Sequence, residues 1–204
     1  MENAYDKTPI KDNEGIITFH RPKESLLERS QSAMLYVMDE CGDDVMDVMQ
    51  QEICNLADIP GRTYRDNFPG FDAFLYCSTQ EIINGIAGVA EIIAKYNDSH
   101  EEPAEKKQVV FWLLKWHCSH PISTEFGLRR FGINFWRDAL KPVLGILITM
   151  PSYYTDRQKA YIEKDFSASY IIAVSDWMEN GFDPNRMDAY GKMIIARARQ
   201  ISPV

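Results

Sequence analysis

From residue 24 to residue 201, apolar side chains return every three or four positions over long stretches, with polar ones filling the places between. That period lays one face of an α-helix against a core. Helices are predicted over 24–41, 45–57, 60–67, 71–96 and 105–119, from Pro121 onward, over 134–149 and 155–180, and from Asp183-Pro184 to about 201. The breaks have physical causes. Gly42 follows the last apolar residue of the first helix, where the missing Cβ allows the left-handed backbone that closes a helix end. Pro60, Pro121 and Pro184 have no N–H to lose at a first helical position. Gly181 stops the eighth helix, the polar stretch 97–103 separates the fourth from the fifth, and Pro142 should kink the seventh. No alternating pattern is long enough for a sheet, and no segment repeats. The expected fold is all-α: a mobile N-terminal arm over 1–22, a three-helix head over 23–70 and a helical body over 71–204.

The head carries the most specific signal. Ile53, Leu56, Ala57, Ile59, Tyr64 and Phe68 recur at helical spacing and can pack on Leu35 and Met38 of the first helix. Arg62, Thr63, Arg65 and Asn67 are then left pointing outward from a short third helix that follows a tight turn. A longer helix followed by two brief ones around a turn is the order of a helix-turn-helix DNA-reading head.

This run resembles the head of the TetR family of transcriptional regulators. Ile53-Cys54-Asn55-Leu56-Ala57-Asp58-Ile59 lies, without gaps, on the family pattern Ile-Ala-x-x-Ala-Gly-Val, and Pro60 to Leu75 on the recognition helix and the start of the fourth helix. Phe166 to Ile201 is similar to the last two helices of many such regulators. The resemblance implies a homodimer that binds a double-stranded DNA operator of inverted-repeat form and responds to a small-molecule effector. It implies DNA contacts from Gly61, Arg62, Thr63, Tyr64, Arg65 and Asn67. The expected dimer interface is a four-helix bundle with Tyr170, Ala173, Val174, Trp177, Met187, Tyr190, Ile194 and Ile201. The sequence departs from the family in several places: Asp58 stands for the turn glycine, Met49 for a hydroxyl residue, Arg65 for the recognition-helix tyrosine and Phe71 for a lysine.

Charge qualifies the picture. Between residues 41 and 75 only Arg62 and Arg65 oppose Asp43, Asp44, Asp47, Glu52, Asp58, Asp66 and Asp72, a formal charge of −5. DNA binding draws on counterion release by basic groups, so this head begins with little of that drive. Lys7, Lys11, Arg21, Lys23 and Arg29 ahead of it could make up part of the deficit. The whole chain of 204 residues carries −8 with a pI of about 5.0, which excludes general affinity for nucleic acid or anionic membrane. Any DNA contact must be local. The alternative reading keeps the fold but removes operator binding, leaving a ligand-sensing or protein-binding partner.

The remaining chemistry is sparse. Hydrophobic residues at 45% and charged ones at 25% fit an ordinary globular protein with a substantial core. Cys41, Cys54, Cys77 and Cys118 have no Cys-x-x-Cys spacing, so neither a disulfide framework nor a thiolate zinc site is expected, and a reducing cytoplasm is the simpler location. No signal-peptide core precedes the helices, and the longest apolar run, 82–94, is too short to span a membrane and contains Glu91. His117, Cys118 and His120 spread around a helix axis instead of converging, so no metal is expected. No catalytic motif is present, which makes an all-helical enzyme the remotest reading, and no cofactor is implied. Lys106-Lys107 and Arg129-Arg130 read as solvated charge. The effector pocket is expected from Phe111, Trp112, Trp116, Trp136, Tyr153 and Tyr154, because ligand pockets are largely apolar and aromatic, although the same rings could simply fill a core. Gly85 and Gly88 inside the fourth helix suggest close packing, bending or room for a ligand.

Overall fold

The computed structural model describes residues 10–11, 17–18, 25–42 and 50–201. Nine α-helices make up almost all of this: α1 Leu26–Cys41, α2 Gln50–Leu56, α3 Gly61–Asn67, α4 Phe71–Ser99, α5 Lys106–Ser119, α6 Pro121–Arg130, α7 Ile133–Leu147, α8 Asp156–Glu179 and α9 Met187–Ile201, the last preceded by a 3-10 turn, Pro184–Arg186. One feature departs from the expected all-helical chain. Ile10–Lys11 pairs antiparallel with Ile17–Thr18, a ladder too short for alternation of side chains to reveal. The rest of the arm expected over 1–22, and the part of the second helix expected over 45–49, lie outside the described residues.

Local chemistry explains the boundaries. Ser25 caps α1 by accepting the Glu28 N–H, while the Glu28 carboxylate accepts the Ser25 N–H, a reciprocal capping box. Thr155 and Gln158 do the same for α8. Gly42 leaves α1 at φ 93° and Gly181 leaves α8 at φ 71°, both in the region that a Cβ disfavours. Pro121 opens α6 at its first turn. One expectation shifts: α4 continues past residue 96 to Ser99, whose hydroxyl lies within hydrogen-bond reach of the Lys95 and Tyr96 carbonyls. Pro142 lies inside α7, which continues through it.

Two cores result. The body core joins α4, α5, α7, α8 and α9 around Trp136, Phe166, Tyr170 and Trp177. The head core gathers Met34, Met38, Ile53, Ile59, Tyr64 and Phe68, and is completed from the body side by Phe74 of α4 and Phe126 of α6. Gly85 has a clear reason. A Cβ there would stand 2.2 Å from the Trp116 indole, so the glycine lets that ring lie against the α4 backbone. At Gly88 a Cβ would meet nothing within 4 Å, and packing gives no reason for it.

Candidate functional site

The head builds its turn as the sequence suggests. The Ile59 N–H bonds to the Cys54 carbonyl at 2.9 Å across Asp58, which sits at φ 50°. This is a helix end closed by a left-handed residue, with an aspartate doing what glycine more often does. Ile59 drops into the core and Pro60 redirects the chain into α3. Arg29 of α1 fastens the turn, donating to the Ala57 carbonyl and to that of Asp58. Its guanidinium is thereby committed to backbone oxygens, and it does not make up the head's deficit of positive charge. The side chains of Lys7, Lys11, Arg21 and Lys23 lie outside the described residues.

On α3, Arg62, Thr63, Arg65 and Asn67 are exposed, and Gly61 is half-buried beneath the Arg65 guanidinium. Tyr64 belongs elsewhere. Its ring is 1% exposed, packed edge-on to Phe68 at 5.1 Å, and burial, with a smaller contribution from Cys54, pushes its hydroxyl up to about 12. It is therefore part of the platform under α3, because the helical period that turns residues 62, 63 and 65 outward turns residue 64 inward. Leu56 goes the other way: it is 45% exposed instead of joining the core. The face itself is mixed in charge. Asp66 lies 3.7 Å from Arg62, both open to solvent, and the Asn67 amide donates to the Thr63 carbonyl at 2.8 Å.

A polar thread that the sequence reading missed joins head to body. Gln31 of α1, Glu81 of α4 and Ser123 of α6 meet where these helices cross: Ser123 Oγ is 2.9 Å from Gln31 Oε1 and 2.6 Å from Glu81 Oε2, and the Gln31 amide donates to the same Glu81 oxygen at 3.2 Å. The next residue on α6, Thr124, has its hydroxyl 3.0 Å from His117 Nδ1, and His117 Nε2 is 2.7 Å from the Tyr170 hydroxyl of α8. Burial, reinforced by His120, drives the His117 pKa down to about 3, so the ring is neutral. A neutral imidazole has one N–H, so it donates to one of these hydroxyls and accepts from the other. Burial also raises the Tyr170 hydroxyl, which stays protonated. Arg129 adds a second link by pairing with Asp39 at 2.5 Å. The signal was present as polar residues, Gln31, Ser123 and Thr124, standing on otherwise apolar helical stripes.

The six aromatic residues expected in one pocket do not share one. Trp136 is fully buried and donates to the Gly127 carbonyl; Trp116 covers Gly85 and stacks on His120; Trp112 packs edge-on to Tyr96. Phe111 faces the opposite side of α5, half exposed in a cleft against α9, and Tyr153 and Tyr154 pack on each other at the start of α8. Spacing along one helix placed the rings around its axis but could not say which neighbour each would meet. The eight residues expected between subunits are similarly engaged inside one chain. Tyr170, Ala173, Val174, Trp177, Tyr190 and Ile194 are buried in the body core, and Met187 and Ile201 are half-buried against it. The large apolar side chains that α8 and α9 leave open are Tyr161, 73% exposed, Ile172, 68% exposed, and Met193, 46% exposed.

Comparison with protein-family models, with curated proteins and with solved structures finds no match to this chain. Among the described residues no group of three or more histidine, cysteine, aspartate or glutamate side chains could hold a metal ion, and no helix is long and apolar enough to cross a membrane.

Proposed function

We propose that the chain is a TetR-like, one-component transcriptional regulator without catalytic activity, working as a homodimer whose paired α3 helices read an inverted-repeat operator and which a small, largely apolar ligand releases. The observation that carries this reading is the outer face of α3, where Arg62, Thr63, Arg65 and Asn67 stand clear of the protein on a buried platform behind a tight turn. Dimer formation draws on Ile172 and Met193, two of the exposed apolar side chains of α8 and α9. Coupling draws on the thread from Gln31 to Tyr170, because a ligand that favours one arrangement of α6 biases the head as well.

The test is a salt titration of binding to a DNA fragment from the protein's own promoter. At low ionic strength a sequence-dependent complex should form, weaken steeply with salt, and vanish in Arg62→Ala/Arg65→Ala while the dimer persists. Each lost phosphate contact should reduce the slope of log K against log salt by about 0.9. Absence of any complex at low salt, or a complex unchanged in the double variant, would overturn operator reading. The acidic head, the Arg62–Asp66 pair and the commitment of Arg29 favour a second reading in that event, the same fold as a ligand-sensing or protein-binding partner.

A further inference from the structure

The described surface has a second feature, made by residues that the thread does not use. A cleft of about 1160 Å³ lies between α5 and α9, with Leu114, Ile146 and Ile195 among its apolar residues and Phe111 at its edge, 50% exposed. Such a volume is somewhat above the roughly 300–1,000 Å³ of most small-molecule sites. A half-bare phenylalanine beside a concave apolar surface is poorly served by water alone.

Charge chooses among occupants. Lys106 and Lys107 open α5, while Lys192 and Arg199 project from α9, so four cations border the cleft in a chain of net charge −8. Two carboxylates stand with them. Asp188 is spoken for: Lys192 Nζ is 2.6 Å away, and that contact, with a smaller contribution from Lys107, holds the carboxyl below its ordinary range. Glu105 is at the start of α5, where its N–H bonds to Gln108. Among the described residues, Lys106, Lys107 and Arg199 make no ion pair. Apolar walls with a surplus of unpaired cations at the rim match a molecule that is apolar along its length and anionic at one end.

We propose that this cleft binds a free aliphatic carboxylate of medium chain length, its chain lying along Phe111, Leu114 and Ile195 and its carboxylate held among Lys106, Lys107 and Arg199. Guanidinium and ammonium groups form their strongest hydrogen bonds with such an anion, and the site is distinct from the residues that would contact DNA. The idea does not rest on operator binding, because occupancy can be read with no DNA present.

Decanoate is the probe, titrated calorimetrically into the full chain beside decanol, its uncharged counterpart. Decanoate should bind saturably with one site per chain, and tighter than decanol by about tenfold, the order that charge-assisted hydrogen bonds supply. Lys107→Gln/Arg199→Gln should remove that preference, and Phe111→Ser should weaken both probes together. The charge variants alter solvent-exposed side chains, so an unchanged melting temperature certifies their folding. Equal binding of the two probes, a preference that survives in the double variant, or no saturable binding would overturn the assignment. The titration is run below the concentration at which decanoate forms micelles, so that the free anion is the species that binds.

Discussion

The head and the body solve the same packing problem with unequal means. α3 has seven residues, well below the roughly 12–15 that an isolated helix needs to be even marginally stable in water. The body has α4 with 29 residues and α8 with 24, and a core stocked with tryptophans. The head makes good its shortage by borrowing: Phe74 from α4 and Phe126 from α6 close its core, and Ser123 and Arg129 of α6 reach α1. A movement of α6 would therefore reach the head core through Phe126 and Ser123 and also reach α8 through the Thr124–His117–Tyr170 contacts.

The most damaging test of this asymmetry is Phe126→Ala. The ring is fully buried and lies 5.5 Å from Phe74 and 5.8 Å from Phe131. Its removal should cost about 3–5 kcal/mol of unfolding free energy in urea. Amide exchange gives the discriminating readout: protection should be lost first in α1–α3 and last in α8. Uniform loss across both regions would show that the head stands on its own.

Acid should act on the body side of the same junction. His117 titrates near pH 3 when folded and near its ordinary 6.5 when unfolded, because burial disfavours the charged ring. Between these values the unfolded state holds a proton that the folded state does not. Its contribution is thus complete above pH 6.5 and lost as the pH falls toward 3, at up to about 1.4 kcal/mol per unit, or roughly 2 kcal/mol by pH 5. Urea unfolding at pH 7 and pH 5 measures it. His117→Gln should be less stable at pH 7 but flatter over this interval; an equal slope in both proteins would assign the acid sensitivity to other groups.

Why the elements were legible while the site was only partly so follows from what periodicity encodes. Gly42, Pro121 and Gly181 fix helix ends through their own backbone chemistry and Thr155 through its side-chain cap, and those ends fell within a residue or two of expectation. Asp58, a departure from the family's turn glycine, takes positive φ because aspartate tolerates it better than most residues. Tyr64, Trp116 and Tyr170 were harder, because a helical stripe says that a side chain faces something without saying what. Tyr64 met the head core, Trp116 met a glycine on α4, and Tyr170 met His117. The cleft between α5 and α9 was illegible for a related reason: Lys106 and Arg199 are far apart in sequence, and only the packing of two helices makes them neighbours.

The smallest effect is also the most selective for the junction. Ser123 has a single hydroxyl hydrogen and two acceptors within reach, Glu81 at 2.6 Å and Gln31 at 2.9 Å. The carboxylate is the stronger acceptor and the closer, so the hydrogen serves Glu81, and the Gln31 amide reinforces the same oxygen. Ser123→Ala leaves the carboxylate with one partner fewer at a half-buried site, and should cost about 1–2 kcal/mol. The change is smaller than the ring deletion at Phe126 because no cavity larger than a hydroxyl opens. It removes no apolar contact, so a fall in protection at α1 with none at α8 and α9 would tie the head to the body through this polar crossing in particular. A stability change within about 0.5 kcal/mol, the range of ordinary surface substitutions, would mean that packing at Phe126 alone holds the head in place.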